Sequence, residues 1–167
     1  MRGFLIYFLT FAVLSVFQAT FLTYVFPTSS PALLIPFVVS ALLYTDDLAF
    51  VFSLSVFAGL FQDLVSSSLF GLNMLVYLIS CLVFSAFRRF FFQKGFPVWF
   101  LSVLVFDFFA QLFYTVLVLL AGTTLSAGLF ASRFFWHIFY TALLTPLLFF
   151  PSIWALKVSF RGEVRIR

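Results

Sequence analysis

Few residues in this 167-residue chain can do chemistry: nine Lys and Arg, five Asp and Glu, one His and one Cys. Two carboxylates lie inside apolar runs, Asp63 shortly after Gly59 and Gln62, and Asp107 between Phe106 and Phe108. A charge at the centre of a membrane helix costs roughly 2.5–3.5 kcal/mol on insertion scales, so each carboxylate needs a partner or a purpose. Asp63 reads either as a structural charge, satisfied by Arg133 or by the serine hydroxyls at 66–68, or as an ion or proton site. Asp107 has the same two readings, and its phenylalanine neighbours require any partner to come from another helix. His137 is the only histidine. With no second His or Cys to join it, a metal site is not expected, and nor is any other cofactor. The chain has no Gly-x-Ser-x-Gly elbow, no Ser–Lys dyad and no Gly-rich phosphate loop, so an enzyme is not expected either.

The elements that must position these groups follow from composition. The chain is 65% hydrophobic and 8% charged, against about 45–50% and 25% in ordinary globular domains. So much apolar side chain cannot be hidden in a soluble core of this size, which makes the chain an all-α integral membrane protein of one domain. The net charge of +4 does not point to nucleic acid, because the basic residues cluster at the ends of apolar runs, where they orient membrane helices. Cys81 has no second cysteine to pair with.

Six transmembrane stretches are expected, at 4–26, 32–45, 48–65, 70–87, 97–121 and 131–156, followed by a basic tail at 157–167. The second carries Pro36 and is short, about 21 Å against a hydrocarbon core of about 30 Å. Pro146 should kink the last. With both termini cytoplasmic, Arg2, Arg88, Arg89, Lys94, Lys157, Arg161, Arg165 and Arg167 all lie inside, and only Arg133 outside. A re-entrant second stretch would reverse the Arg88–Arg89–Lys94 cluster. The basic tail suits the surface potential of a cytoplasmic leaflet.

Polar residues recur at helical spacing: Ser55, Gly59, Gln62, Asp63 and Ser66; Asp107, Gln111 and Tyr114; Arg133, His137, Tyr140, Thr141 and Thr145. In membranes such stripes face the bundle interior. Counted at about 1.5 Å per residue, Asp63, Gln111, Arg133 and His137 fall at similar depth in the outer half, Asp107 nearer the middle. A buried polar cluster of those four is expected, with Asp63 and Arg133 paired directly or through the serine turn.

The stretch from Gly59-Leu-Phe-Gln-Asp63 to Gly71-Leu-Asn-Met-Leu-Val-Tyr77 resembles the G-L-x-x-D…G-L-x-x-x-x-Y signature of the rod shape-determining MreD family, which Gly59, Asp63, Gly71 and Tyr77 carry. Length, span number and the proline-bearing second span are also similar. The resemblance implies a multi-pass protein of the bacterial inner membrane, a scaffold of the cell-elongation machinery that builds peptidoglycan. Its implied partners are MreC, RodA with its class B penicillin-binding transpeptidase, and MreB on the cytoplasmic side. The family's fold is similar to the substrate-binding component of energy-coupling-factor vitamin transporters. That likeness supplies the alternative, a small-molecule uptake component. The short outer loops favour the scaffold.

Overall fold

The computed structural model describes residues 2–25, 31–66, 70–87, 95–120, 122 and 127–159, and every regular element among them is helical. Helix α1 (Arg2–Phe17) runs through a π-helical stretch (Gln18–Leu22) into α2 (Thr23–Val25). Then follow α3 (Ile35–Tyr44), α4 (Leu48–Val65), α5 (Leu72–Phe87), α6 (Phe96–Leu120) and α7 (Ala127–Ser159). The helices lie where the apolar runs end and begin. α3 opens with Pro36, whose fixed φ suits a first turn. Asp47 caps α4 by accepting from the Phe50 N–H at 3.0 Å, and extended backbone at Ser66 ends it. α7 continues as helix through both Pro146 and Pro151.

Three helices, Leu48–Val65, Phe96–Leu120 and Ala131–Val158, are long and apolar enough to cross a membrane. Ile6–Leu22, Ile35–Tyr44 and Leu72–Phe87 are apolar but shorter. The outside of the bundle is also apolar, with Val13, Leu64 and Leu101 all more than half exposed. Water would penalise such a surface and hydrocarbon does not, so the chain is a helical membrane protein.

The arrangement is a ring around a peg. α1 packs on α4, α4 on α5, α5 on α6, α6 on α7, and α7 back on α1. Inside this ring α3 touches α4, α6 and α7. Every residue from Pro31 to Leu42 is buried. A helix that is apolar all round has no face for solvent and belongs in the centre, which is how a segment too short for the outside is accommodated. One polar knot fixes the peg. Trp99 Nε1 of α6 donates to Ser40 Oγ at 2.7 Å, and Ser40 Oγ lies 2.9 Å from Ser152 Oγ of α7 and 2.7 Å from the Pro36 carbonyl. A second link holds its leading end, where the Ala32 N–H donates to Thr141 Oγ of α7 at 3.2 Å.

Candidate functional site

Asp63 is almost fully buried near the end of α4, and it serves as the cap of the next helix. Its Oδ2 accepts from the backbone N–H groups of Gly71 at 3.0 Å and Met74 at 3.2 Å. Its Oδ1 accepts from the backbone N–H of Asn73 at 2.9 Å and from Asn73 Nδ2 at 3.0 Å. Asn73 Nδ2 also donates to Ser66 Oγ at 3.1 Å. The first turn of a helix has N–H groups without intrahelical acceptors and a partial positive charge, and hydrocarbon offers neither water nor counter-ion. One carboxylate therefore answers both needs, and the helix start answers the cost of the carboxylate.

The other signature residues serve the same hairpin. Gly59 lies where α4 and α5 touch: a Cβ there would overlap Met74 Cα and come within 2.7 Å of Met74 N and 2.8 Å of Asn73 O. Gly71 has φ of +89°, a left-handed conformation that aims its N–H at Asp63 and strains any residue with a side chain. Tyr77, one turn beyond Asn73, is buried with its ring edge-on to Phe106 of α6 (6.4 Å between centroids, 79°). The motif is thus a lock between α4 and α5, with Tyr77 carrying it to α6.

Next to Phe106 stands the second carboxylate. Asp107 is fully buried, and His137 Nε2 of α7 lies 3.2 Å from its Oδ1, within hydrogen-bonding distance. Its Oδ2 has no hydrogen-bond partner among the described residues. The partner that Asp107 requires from another helix is therefore His137. The two sites form a route through the core, from Asp63 on α4 through Asn73 and Tyr77 on α5 to Phe106, Asp107 and then His137.

The expected cluster of Asp63, Gln111, Arg133 and His137 does not assemble. Asp63 and Arg133 do not pair: the carboxylate is filled by the start of α5, and Arg133 is exposed on α7. His137 turns to Asp107 instead, while Gln111 is half-buried with no side-chain hydrogen bond among the described residues. Depth counting puts residues at one level but says nothing of the direction each helix faces. Of the serine turn, Ser66 accepts from Asn73, and positions 67 and 68 lie outside the described residues.

Of the other stripe residues, Ser55, Thr141 and Thr145 are buried, while Gln62, Ser66, Tyr114 and Tyr140 are half-buried. Sequence reasoning missed the Trp99–Ser40–Ser152 knot and the contact of Gln18 Nε2 with Gln62 Oε1 (3.3 Å), which joins the π-helical stretch to α4. The only signal for the first was that Trp99, Ser102, Val103, Phe106, Asp107 and Ala110 repeat at helical spacing, and all six are buried.

Chemically, both sites hold helices together. Among the described residues no group of three or more His, Cys, Asp or Glu could hold a metal ion. Comparison with protein-family models, with curated proteins and with solved structures finds no match to this chain.

Proposed function

We propose that the chain is a non-enzymatic scaffold of the bacterial cell-elongation machinery in the inner membrane, crossing it six times with both termini cytoplasmic. It works with MreC, with RodA and its class B penicillin-binding transpeptidase, and with MreB on the cytoplasmic side. The observation that carries this reading is the use of the signature residues. Gly59, Asp63, Gly71 and Tyr77 are consumed in holding α4, α5 and α6 together, so the motif specifies a shape rather than a pocket. Around that lock the outward side chains Leu64, Phe70 and Leu75 are at least half exposed and apolar. A rigid hairpin with such a rim suits contacts made within the bilayer. The shallow groove between α5 and α6, lined by Phe70, Gly71, Leu72, Met74, Leu75 and Leu117, has the same character and lacks the polar groups that fix a soluble ligand. The six-span reading, with α3 as a central short helix and a fold like the transporter component, rests on the eight-to-one distribution of Lys and Arg.

Two measurements test it. Depleting the protein should turn rod-shaped cells round, and affinity purification should recover a one-span periplasmic coiled-coil protein. Cells that stay rod-shaped but acquire a vitamin requirement would transfer the chain to the uptake class. For topology, single cysteines at Ser67 and Ser159 in a Cys81→Ala background should react with an impermeant thiol reagent in intact cells only at position 67. Labelling at 159 alone would overturn six spans.

A further inference from the structure

Helix α7 carries a feature that the scaffold reading does not use. Its exposed face is an unbroken stripe of large apolar side chains: Phe135 (63% exposed), Phe139 (47%), Leu143 (58%), Leu147 (71%), Phe150 (78%) and Trp154 (63%). Steps of three and four residues keep all six on one side of the helix. From Phe135 to Trp154 the stripe measures about 29 Å at 1.5 Å per residue, the thickness of a bilayer's hydrocarbon core, about 30 Å. Each end is finished in the same way. Trp136 lies at one end and Trp154 at the other, about 27 Å apart, with exposed Arg133 and exposed Lys157 each one turn further out. The two cations are about 36 Å apart, between the hydrocarbon thickness and the full 40–45 Å that includes the headgroups. Tryptophans at the boundary and cations beyond it are the pattern by which a helix anchors at two interfaces.

We propose that this face of α7 is occupied by phospholipid along its whole length, and that Arg133 binds the phosphate of an anionic lipid headgroup at its end of the helix. Two observations select lipid over a partner helix. Helix pairs in membranes approach through Gly, Ala, Ser or Thr, and none of the six stripe residues is one of these. Arg133 also has no counter-charge beside it among the described residues. It makes no ion pair among the described residues, where Asp63 is committed to α5, Asp107 to His137 and Asp47 to the cap of α4. A guanidinium at that level recruits an anion from outside, and a lipid phosphate offers the planar, two-pronged hydrogen bonding that Arg favours. Trp136, stacked on Tyr140 at 5.3 Å and 26°, sets an aromatic floor one turn beneath it.

The test uses the full chain in bilayer discs and quenching of tryptophan fluorescence by lipids brominated at known depths on their tails. Trp99 is fully buried and serves as an internal constant. With Trp154→Phe the exposed probe is Trp136, and with Trp136→Phe it is Trp154; both should be quenched most by the shallowest bromines. Leu143→Trp in the double Phe background should be quenched most by the deepest. A position-143 probe that no brominated lipid quenches would mean protein covers the stripe, either a second copy or a partner helix, and would overturn the proposal. For the headgroup, brominated anionic lipid should quench Trp136 in preference to brominated zwitterionic lipid. Arg133→Gln should reduce that preference about fivefold, the equivalent of one basic residue at a charged surface, and Arg133→Lys should retain most of it. An unchanged preference in Arg133→Gln would remove Arg133 from the site.

Discussion

Replacing Asp63 by Ala removes the acceptor of four N–H donors at once, three of them on the backbone of the α5 start. The Asn73 side chain can turn to Ser66, but the backbone groups of Gly71, Asn73 and Met74 cannot move without unwinding the helix. Each buried donor left unsatisfied costs about 1–3 kcal/mol. The sum for three is on the order of 3–6 kcal/mol, after allowance for partial relaxation. At roughly 2–4 °C per kcal/mol for a chain of this size, the midpoint should fall by about 10 °C or more. Asp63→Asn keeps one oxygen and sets an NH2 against two N–H donors, so it should fall by about half as much. The assay is thermal loss of the monomer peak in detergent, read by size-exclusion chromatography of a fluorescent fusion. Arg133→Ala, an exposed side chain with no carboxylate partner among the described residues, should shift the midpoint by no more than a degree or two. The charge exchange Asp63→Arg with Arg133→Asp should melt no higher than Asp63→Arg alone. If the exchange restores stability, Asp63 and Arg133 do pair and the capping argument is wrong. If Asp63→Ala melts with the parent, the cap has no energetic weight.

Gly59→Ala places a methyl group against the Met74 backbone, so it should separate α4 from α5 and cost at least about 2 kcal/mol, seen as a lower midpoint and a reduced steady-state level. Gly71→Ala meets no neighbour, and only its left-handed φ opposes it; about 1–2 kcal/mol is expected, with Gly71→Asn milder than Gly71→Val. Asp107→Ala and His137→Ala remove two ends of one contact, so the double variant should lose less than the two single losses added, and strict additivity would show that they do not interact. Trp99→Phe keeps most of the ring but removes the N–H to Ser40, so a loss of about 1 kcal/mol is expected, and Ser40→Ala should lose more, because it also removes the contacts with Ser152 and the Pro36 carbonyl.

How much was legible follows from what each residue depends on. Helix positions depend on hydrophobic runs and on local punctuation such as Asp47 and Gly71, and the helices among the described residues overlap those runs. That Asp63 and Asp107 must be satisfied was also legible, since an apolar chain leaves a carboxylate no other choice. Which partner each would find was not. Asp63 was matched to the nearest opposite charge at the same depth, a rule that weighs side chains and ignores the backbone. In hydrocarbon the start of α5 is the stronger claimant: it is tethered eight to eleven residues away, it points several N–H groups in one direction, and it cannot be satisfied by water. The same reasoning explains His137. Once Asp63 is spoken for, Asp107 is the remaining buried carboxylate among the described residues, and α6 and α7 are neighbours in the ring. The ring itself was hidden because α3 looks on sequence like a span that is too short. Its length is the reason it can sit inside five longer helices, where its ends need not reach either membrane face. A signature that spaces Gly59, Asp63, Gly71 and Tyr77 across a helix turn is thus a set of instructions for one hairpin. Tyr77 of that hairpin packs on Phe106, the α6 neighbour of the Asp107 that meets His137.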